Sequence, residues 1–139
     1  MLVPDLGTYV DWGLLALRVA VGIIFVVHGW PKMTNARAMA EAMGRPGAAN
    51  VAFTTVHGIV EAAGGVLLVL GIWTQLVNVL FAIVMVGAIY LKNTAWKTGF
   101  MAQQATGWEF DFVLLAANLA LLTLGPGAIA VLPSTATIR

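Results

Sequence analysis

His57 and Glu61 stand four residues apart. At that spacing they share one face of a helix, so an imidazole and a carboxylate lie side by side. The pair suits proton exchange: the histidine can donate a proton and the acid can relay it. Glu61 is also the single charged residue in an apolar run from Val51 to Trp73. An acid in hydrocarbon is costly unless it is paired, protonated or facing water. Arg18 occupies an earlier apolar run in the same way. Counted from the span ends at ~1.5 Å per residue, Arg18 and Glu61 fall within one helical turn of each other in depth. That predicts a buried Arg18–Glu61 pair, because a guanidinium cannot discharge itself by losing a proton. Such a pair either takes part in chemistry or fixes packing and register.

The other polar and aromatic residues sort by depth around this centre. His28, Lys32, His57, Tyr90, Lys92, Trp96, Trp108, Glu109 and Asp111 lie toward one face, with Asn78 and Asn118 deeper. The candidate catalytic set is Glu61, His57 and His28. Candidates for binding a ligand or partner are Lys32, Tyr90, Lys92, Trp96, Trp108, Glu109 and Asn118. A membrane quinone headgroup is the small molecule this set suits. A histidine donates to one carbonyl oxygen, Glu61 relays the proton, and the loop aromatics cover the ring. Gly58, Gly64 and Gly65 allow a flat ligand, or another helix, to approach the backbone. The plainer reading of the same residues is an interfacial histidine within an ordinary aromatic belt. A haem between His28 and His57 is disfavoured, because their depths differ and both are near the surface. His57 and Glu61 alone are a weak metal signal, so no metal site is predicted. No covalent cofactor is expected.

The elements that must position these residues are membrane spans. The chain has 139 residues, of which 60% are hydrophobic and 9% charged, where a soluble domain carries about 25% charged residues. Four apolar runs, about 12–30, 51–73, 75–91 and 110–132, approach the ~20 residues a helix needs to cross hydrocarbon. Backbone in lipid must satisfy itself, so each is read as a helix. The expectation is an all-α integral membrane four-helix bundle in a single domain over residues 1–139. Trp12, Trp30, Trp73, Trp96 and Trp108 lie at span ends or beside them, where indole rings prefer to sit.

Between the first two spans, Met33, Ala36, Met39, Ala40 and Met43 have helical spacing, with Thr34 as N-cap and Gly44 as stop. This predicts a short amphipathic helix at the interface. The link around Gly71 to Gln75 is short enough to force a helical hairpin. Gly125-Pro126-Gly127 interrupts the last run, so that helix can end there with an interfacial tail. The two longer loops hold Lys32, Arg37, Arg45, Lys92 and Lys97, and the opposite side holds Arg139. The positive-inside rule then places the longer loops in the cytoplasm and both termini outside.

Composition also excludes several classes. The chain has no cysteine, which removes disulfides, thiol redox chemistry, iron–sulfur ligation and cysteine zinc sites. A net charge of +1 without a basic patch argues against nucleic acid. Asp5 and Asp11 precede the first core with no Lys or Arg, which is not the pattern of a cleavable signal.

Several of these residues carry a resemblance. Arg18, Gly22 and His28-Gly29-Trp30-Pro31-Lys32 resemble the opening of the DoxX family of small four-helix membrane proteins. Gly58-Ile59-Val60-Glu61-Ala62-Ala63-Gly64-Gly65, leading to Gly71, is similar to that family's second helix. Gly107-Trp108-Glu109 and a last helix ending Leu124-Gly125-Pro126-Gly127 complete an ordered set over roughly residues 12 to 128. The resemblance implies a four-helix bundle in a prokaryotic cytoplasmic membrane, with family links to redox work. One branch is associated with thiosulfate oxidation coupled to quinone. Another is described as the membrane part of an assembly with a superoxide dismutase and a sulfurtransferase. Arg18, His28, Lys32, Glu61 and Glu109 match positions typical of the family.

The favoured expectation is a quinone-interacting membrane subunit of an oxidoreductase system. One alternative is a non-catalytic anchor or scaffold of a larger complex, and another is a small-molecule or proton-coupled carrier. The expected surroundings are the lipid bilayer, further copies or a larger membrane complex, and soluble redox enzymes.

Overall fold

The computed structural model describes residues 6–103 and 106–132. Asp5 and Arg139, used above for the signal and topology readings, lie outside the described residues. Among the described residues the chain is all-helical. A 3-10 turn at Leu6–Tyr9 leads into α1 (Val10–Thr34), followed by α2 (Ala36–Ala42), α3 (Ala48–Leu70), α4 (Thr74–Thr94) and α5 (Trp108–Leu124).

Three of these helices, α1, α3 and α4, are long and apolar enough to cross a membrane. Their outward faces are strongly apolar: Ile23 and Val27 on α1, Val56 and Ile59 on α3, and Ile83 and Val86 on α4 are all exposed. A soluble protein rarely shows so much contiguous apolar surface, so this surface faces lipid. The fourth run behaves differently from the reading above. The expected span over 110–132 is a helix of 17 residues that stops at Leu124, or ~25 Å, short of a ~30 Å hydrocarbon core. Gly125 ends it at φ +80°. The segment that follows does not run free. It folds back on the turn between α3 and α4, where Val131 N donates to Leu70 O and Leu132 N to Gly71 O.

Contacts between helices are most extensive between α1 and α3 and between α4 and α5. The buried core is shared by Leu14, Val21 and Phe25 of α1, Leu68 of α3, Val77, Phe81 and Met85 of α4, and Leu114 and Leu121 of α5. At its centre the rings of Phe25 and Phe81 stack at 3.6 Å. Gly64 makes room for Phe81, because a Cβ there would sit 2.8 Å from the ring.

Helix α2 lies where an amphipathic helix is expected, with Ala36 and Ala40 buried. Thr34 is not its N-cap. Thr34 is the last residue of α1 and its hydroxyl donates back to Trp30 O at 3.0 Å. Gly44 is the stop, at φ +68°, with Arg45 N donating to Ala40 O. The hairpin link turns at Gly71, φ +74°, where Ile72 N reaches Leu67 O in the left-handed closure that glycine favours.

The register of α1 on α3 is set by glycines. A Cβ on Gly22 would lie 2.7 Å from Gly65 O, and one on Gly29 would lie 2.7 Å from Gly58 O. The two backbones therefore touch along an antiparallel seam. On this register Arg18 lies level with Gly71, not with Glu61. The offset is ten residues along α3, roughly 15 Å at ~1.5 Å per residue. Depth counted from the span ends fails here because the first turns of α3 run past the end of α1 and pack on α2.

Candidate functional site

Glu61 is 2% exposed and both of its carboxylate oxygens are engaged. Lys32 Nζ donates to Oε2 at 2.5 Å. His57 Nε2 lies 3.3 Å from Oε1. The arrangement follows from the glycine seam. Gly58 admits the α1 backbone at Lys32 and Met33, where a Cβ would sit within 2.8 Å of the Lys32 carbonyl carbon. Lys32 is then one short reach from the acid one turn along α3. His57 arrives by its i,i+4 spacing. The result is an ammonium, a carboxylate and an imidazole in line, closed on the Glu61 side and open at His57, whose side chain is 28% exposed.

The predicted Arg18–Glu61 pair does not form. Arg18 is 1% exposed, and its guanidinium donates to Pro126 O and, at 2.6 Å, to Ile129 O. Asp11 Oδ1 accepts from Ala128 N at 2.7 Å. Arg18 and Asp11 thus hold the folded-back segment 125–132 against α1. These acceptors are backbone carbonyls, which no residue-type count reveals.

The other candidates separate. His28 is not part of the Glu61 cluster, and its ring packs 5.7 Å from Phe110. Lys92 pairs with Asp111 at 2.6 Å and reaches Gly107 O at 3.3 Å, tying α4 to the start of α5. Neither Lys32 nor Lys92 is therefore a free cation. Trp108 packs edge-on against Phe100 at 4.5 Å and against Phe112 at 6.3 Å, forming an aromatic ladder at the head of α5. Tyr90 and Trp96 are exposed. Glu109 has no side-chain ion pair among the described residues. Asn118 is fully buried in the α5 stripe.

The glycines read as room for a flat ligand are occupied within the chain. Gly58 and Gly65 meet α1, and Gly64 meets Phe81. What is open beside His57 is the ring of Phe53, 5.8 Å away and 61% exposed. Lys32, expected among the ligand- or partner-binding residues, pairs with Glu61. Its signal is the glycine in each helix, because Gly58 faces the backbone at Lys32 and Gly29 faces Glu61.

Three apolar helices with lipid-facing surfaces and a buried charged cluster define an integral membrane protein. Residues 13–94 match the family model described as DoxX, and the chain belongs to the DoxX family. It is 36% identical over 121 residues to a Bacillus subtilis protein named "Putative oxidoreductase CatD", covering 87% of this chain and 85% of that one. It is 31% identical to the inner membrane protein YphA of Escherichia coli, covering 87% of this chain and 93% of that one. No solved structure matches the chain.

Proposed function

We propose that this chain is a proton-handling, quinone-interacting membrane subunit of an oxidoreductase system. In this reading α5 completes a four-helix bundle with α1, α3 and α4, and the longer loops face the cytoplasm. Arg37, Arg45 and Lys97 supply the positive bias on that side. The observation that carries the function is the Glu61 carboxylate held between Lys32 and His57. The oxidoreductase name of the CatD relative supports the redox class.

The residues at the open end fit an aromatic headgroup. Phe53 offers a face and His57 its remaining ring nitrogen, Nδ1, because Nε2 is buried on the Glu61 side. A bound quinone supplies two-electron, two-proton redox chemistry. The chain's own residues then manage the proton. His57 turns Nε2 toward Glu61 and exchanges a proton with the headgroup at Nδ1. Glu61 Oε1 takes or returns the proton on the Nε2 side. Lys32 holds the carboxylate in place and offsets its charge inside the protein, where an unpaired acid is costly. The chain has no cysteine for a thiol or iron–sulfur route, and in this reading a partner delivers the electrons.

The test is quinone-linked turnover in membranes carrying Glu61→Gln or His57→Ala. In this reading both substitutions abolish turnover, and His57→Ala, which leaves the Lys32–Glu61 pair intact, also preserves assembly; normal turnover in both would overturn it. The scaffold reading has one specific observation in its favour: both Lys32 and Lys92 are consumed in internal pairs. It predicts that the same substitutions lower protein yield or partner recovery.

A further inference from the structure

Three deeply buried side chains carry polar atoms with no partner among the described residues: Arg18 Nε, Asn78 Oδ1 and Asn118 Oδ1. Arg18 is 1% exposed and both asparagines are 0% exposed. Their remaining bonds fix which atoms are left over. Asn78 Nδ2 donates to Thr74 O at 2.7 Å, and Asn118 Nδ2 donates to Leu114 O at 2.7 Å. Only an N–H can serve those carbonyls, so each Oδ1 is an unused acceptor. The terminal nitrogens of Arg18 serve Pro126 O and Ile129 O, so the Nε–H is an unused donor.

The two asparagines share one depth, and Arg18 lies about a turn from it. Phe25 stacks on Phe81, and α1 and α4 run in the same direction. Asn78, three residues before Phe81, is therefore level with Gly22, three before Phe25. His28 faces Phe110, and Leu14 lies against Gly127. That antiparallel register puts Asn118 level with about Val21. Arg18 is then about one turn away, roughly 6 Å along the axis. Both asparagines belong to buried stripes, Thr74, Val77, Asn78, Phe81 and Met85 on α4, and Asp111, Leu114, Asn118 and Leu121 on α5.

We infer that a buried water sits beneath the Phe25–Phe81 stack and bridges α1, α4 and α5. One water has the needed complement: two O–H donors for Asn78 Oδ1 and Asn118 Oδ1, and a lone pair for the Arg18 Nε–H. Buried waters characteristically make about three such bonds. Bulk solvent does not reach these groups at membrane depth, so an internal partner is required. A cation is repelled by the guanidinium, and an anion would face two amide oxygens. This water links the α1–α3 pair to the α4–α5 pair and does not depend on the quinone reading.

The test is water-to-protein polarisation transfer by solid-state NMR in lipid bilayers. Arg37, Arg45 and Arg139 are first changed to lysine, so that Arg18 gives the sole arginine Nε signal. The expected result is rapid transfer from water to Arg18 Nε while Leu68 and Met85, buried away from the water, stay dark. Transfer to Arg18 no stronger than to those two residues overturns the inference. In Asn118→Leu the Arg18 signal is expected to be lost with the Lys32 Nζ shift unchanged. An undiminished Arg18 signal in that folded variant would equally overturn it. Should Asn118→Leu fail to fold, the measurement on the asparagine-intact protein decides alone.

Discussion

Lys32 meets Glu61 at 2.5 Å because the α1 and α3 backbones touch at Gly29 and Gly58. The charge pair and the glycine pair are one device. The glycines remove the side chains that would hold the helices apart, and the ion pair satisfies the acid that the close approach buries.

Breaking that pair from one side is expected to be costly. Lys32→Met leaves the Glu61 carboxylate uncompensated, which costs about 3–5 kcal/mol for a buried pair. Replacing both residues, as Lys32→Met with Glu61→Leu, recovers most of that loss. Detergent-titrated unfolding of the two single variants and the double variant gives the coupling. Equal and additive losses would show that the pair contributes nothing as a pair.

The glycine seam makes a sharper structural prediction. Gly29→Ala places a methyl 2.7 Å from Gly58 O, so the helices must separate, at a cost of about 1–3 kcal/mol. Gly87 has nothing within 4 Å of its would-be Cβ, so Gly87→Ala is expected to be neutral or to stabilise α4 by up to ~1 kcal/mol. The comparison is a pair of unfolding curves, and a Gly29→Ala curve that matches Gly87→Ala would refute the seam.

Much of this architecture is legible in the sequence, and the failures share a cause. Apolar runs give α1, α3 and α4, because lipid exposure imposes a long hydrophobic period. Gly44 and Gly125-Pro126-Gly127 give stops, because left-handed backbone selects glycine. The partner of Arg18 is not legible. Span ends do not give the depth of Arg18, because the glycine seam sets the register, and the acceptors of Arg18 are carbonyls from a segment more than 100 residues away. The His57–Glu61 neighbourhood is legible from spacing alone, because i,i+4 geometry needs no tertiary information.

Arg18 therefore predicts a local effect. Arg18→Leu removes both donors to the segment 125–132, and hydrogen bonds from a charged donor contribute about 1.5–3 kcal/mol each. Hydrogen exchange is expected to rise at Val131 and Leu132, whose amides bond Leu70 and Gly71, with the Lys32–Glu61 pair intact. Unchanged protection at those two amides would mean that Arg18 does not hold the segment.

The Lys92–Asp111 pair ties α4 to α5. Asp111→Asn is expected to loosen the head of α5 and the aromatic ladder of Trp108. Its tryptophan fluorescence should shift while the Glu61 cluster keeps its function. A variant that lost quinone-linked turnover with an unchanged Trp108 signal would place Asp111 in the chemistry instead.

The central claim is that His57, backed by Glu61 and Lys32, receives a quinone headgroup. The most direct measurement is native mass spectrometry of the protein gently extracted from its own membrane. The account predicts a bound mass matching a quinone that disappears in His57→Ala and persists in Asp111→Asn. A quinone retained by His57→Ala, or soluble subunits bound with no small molecule, would contradict it.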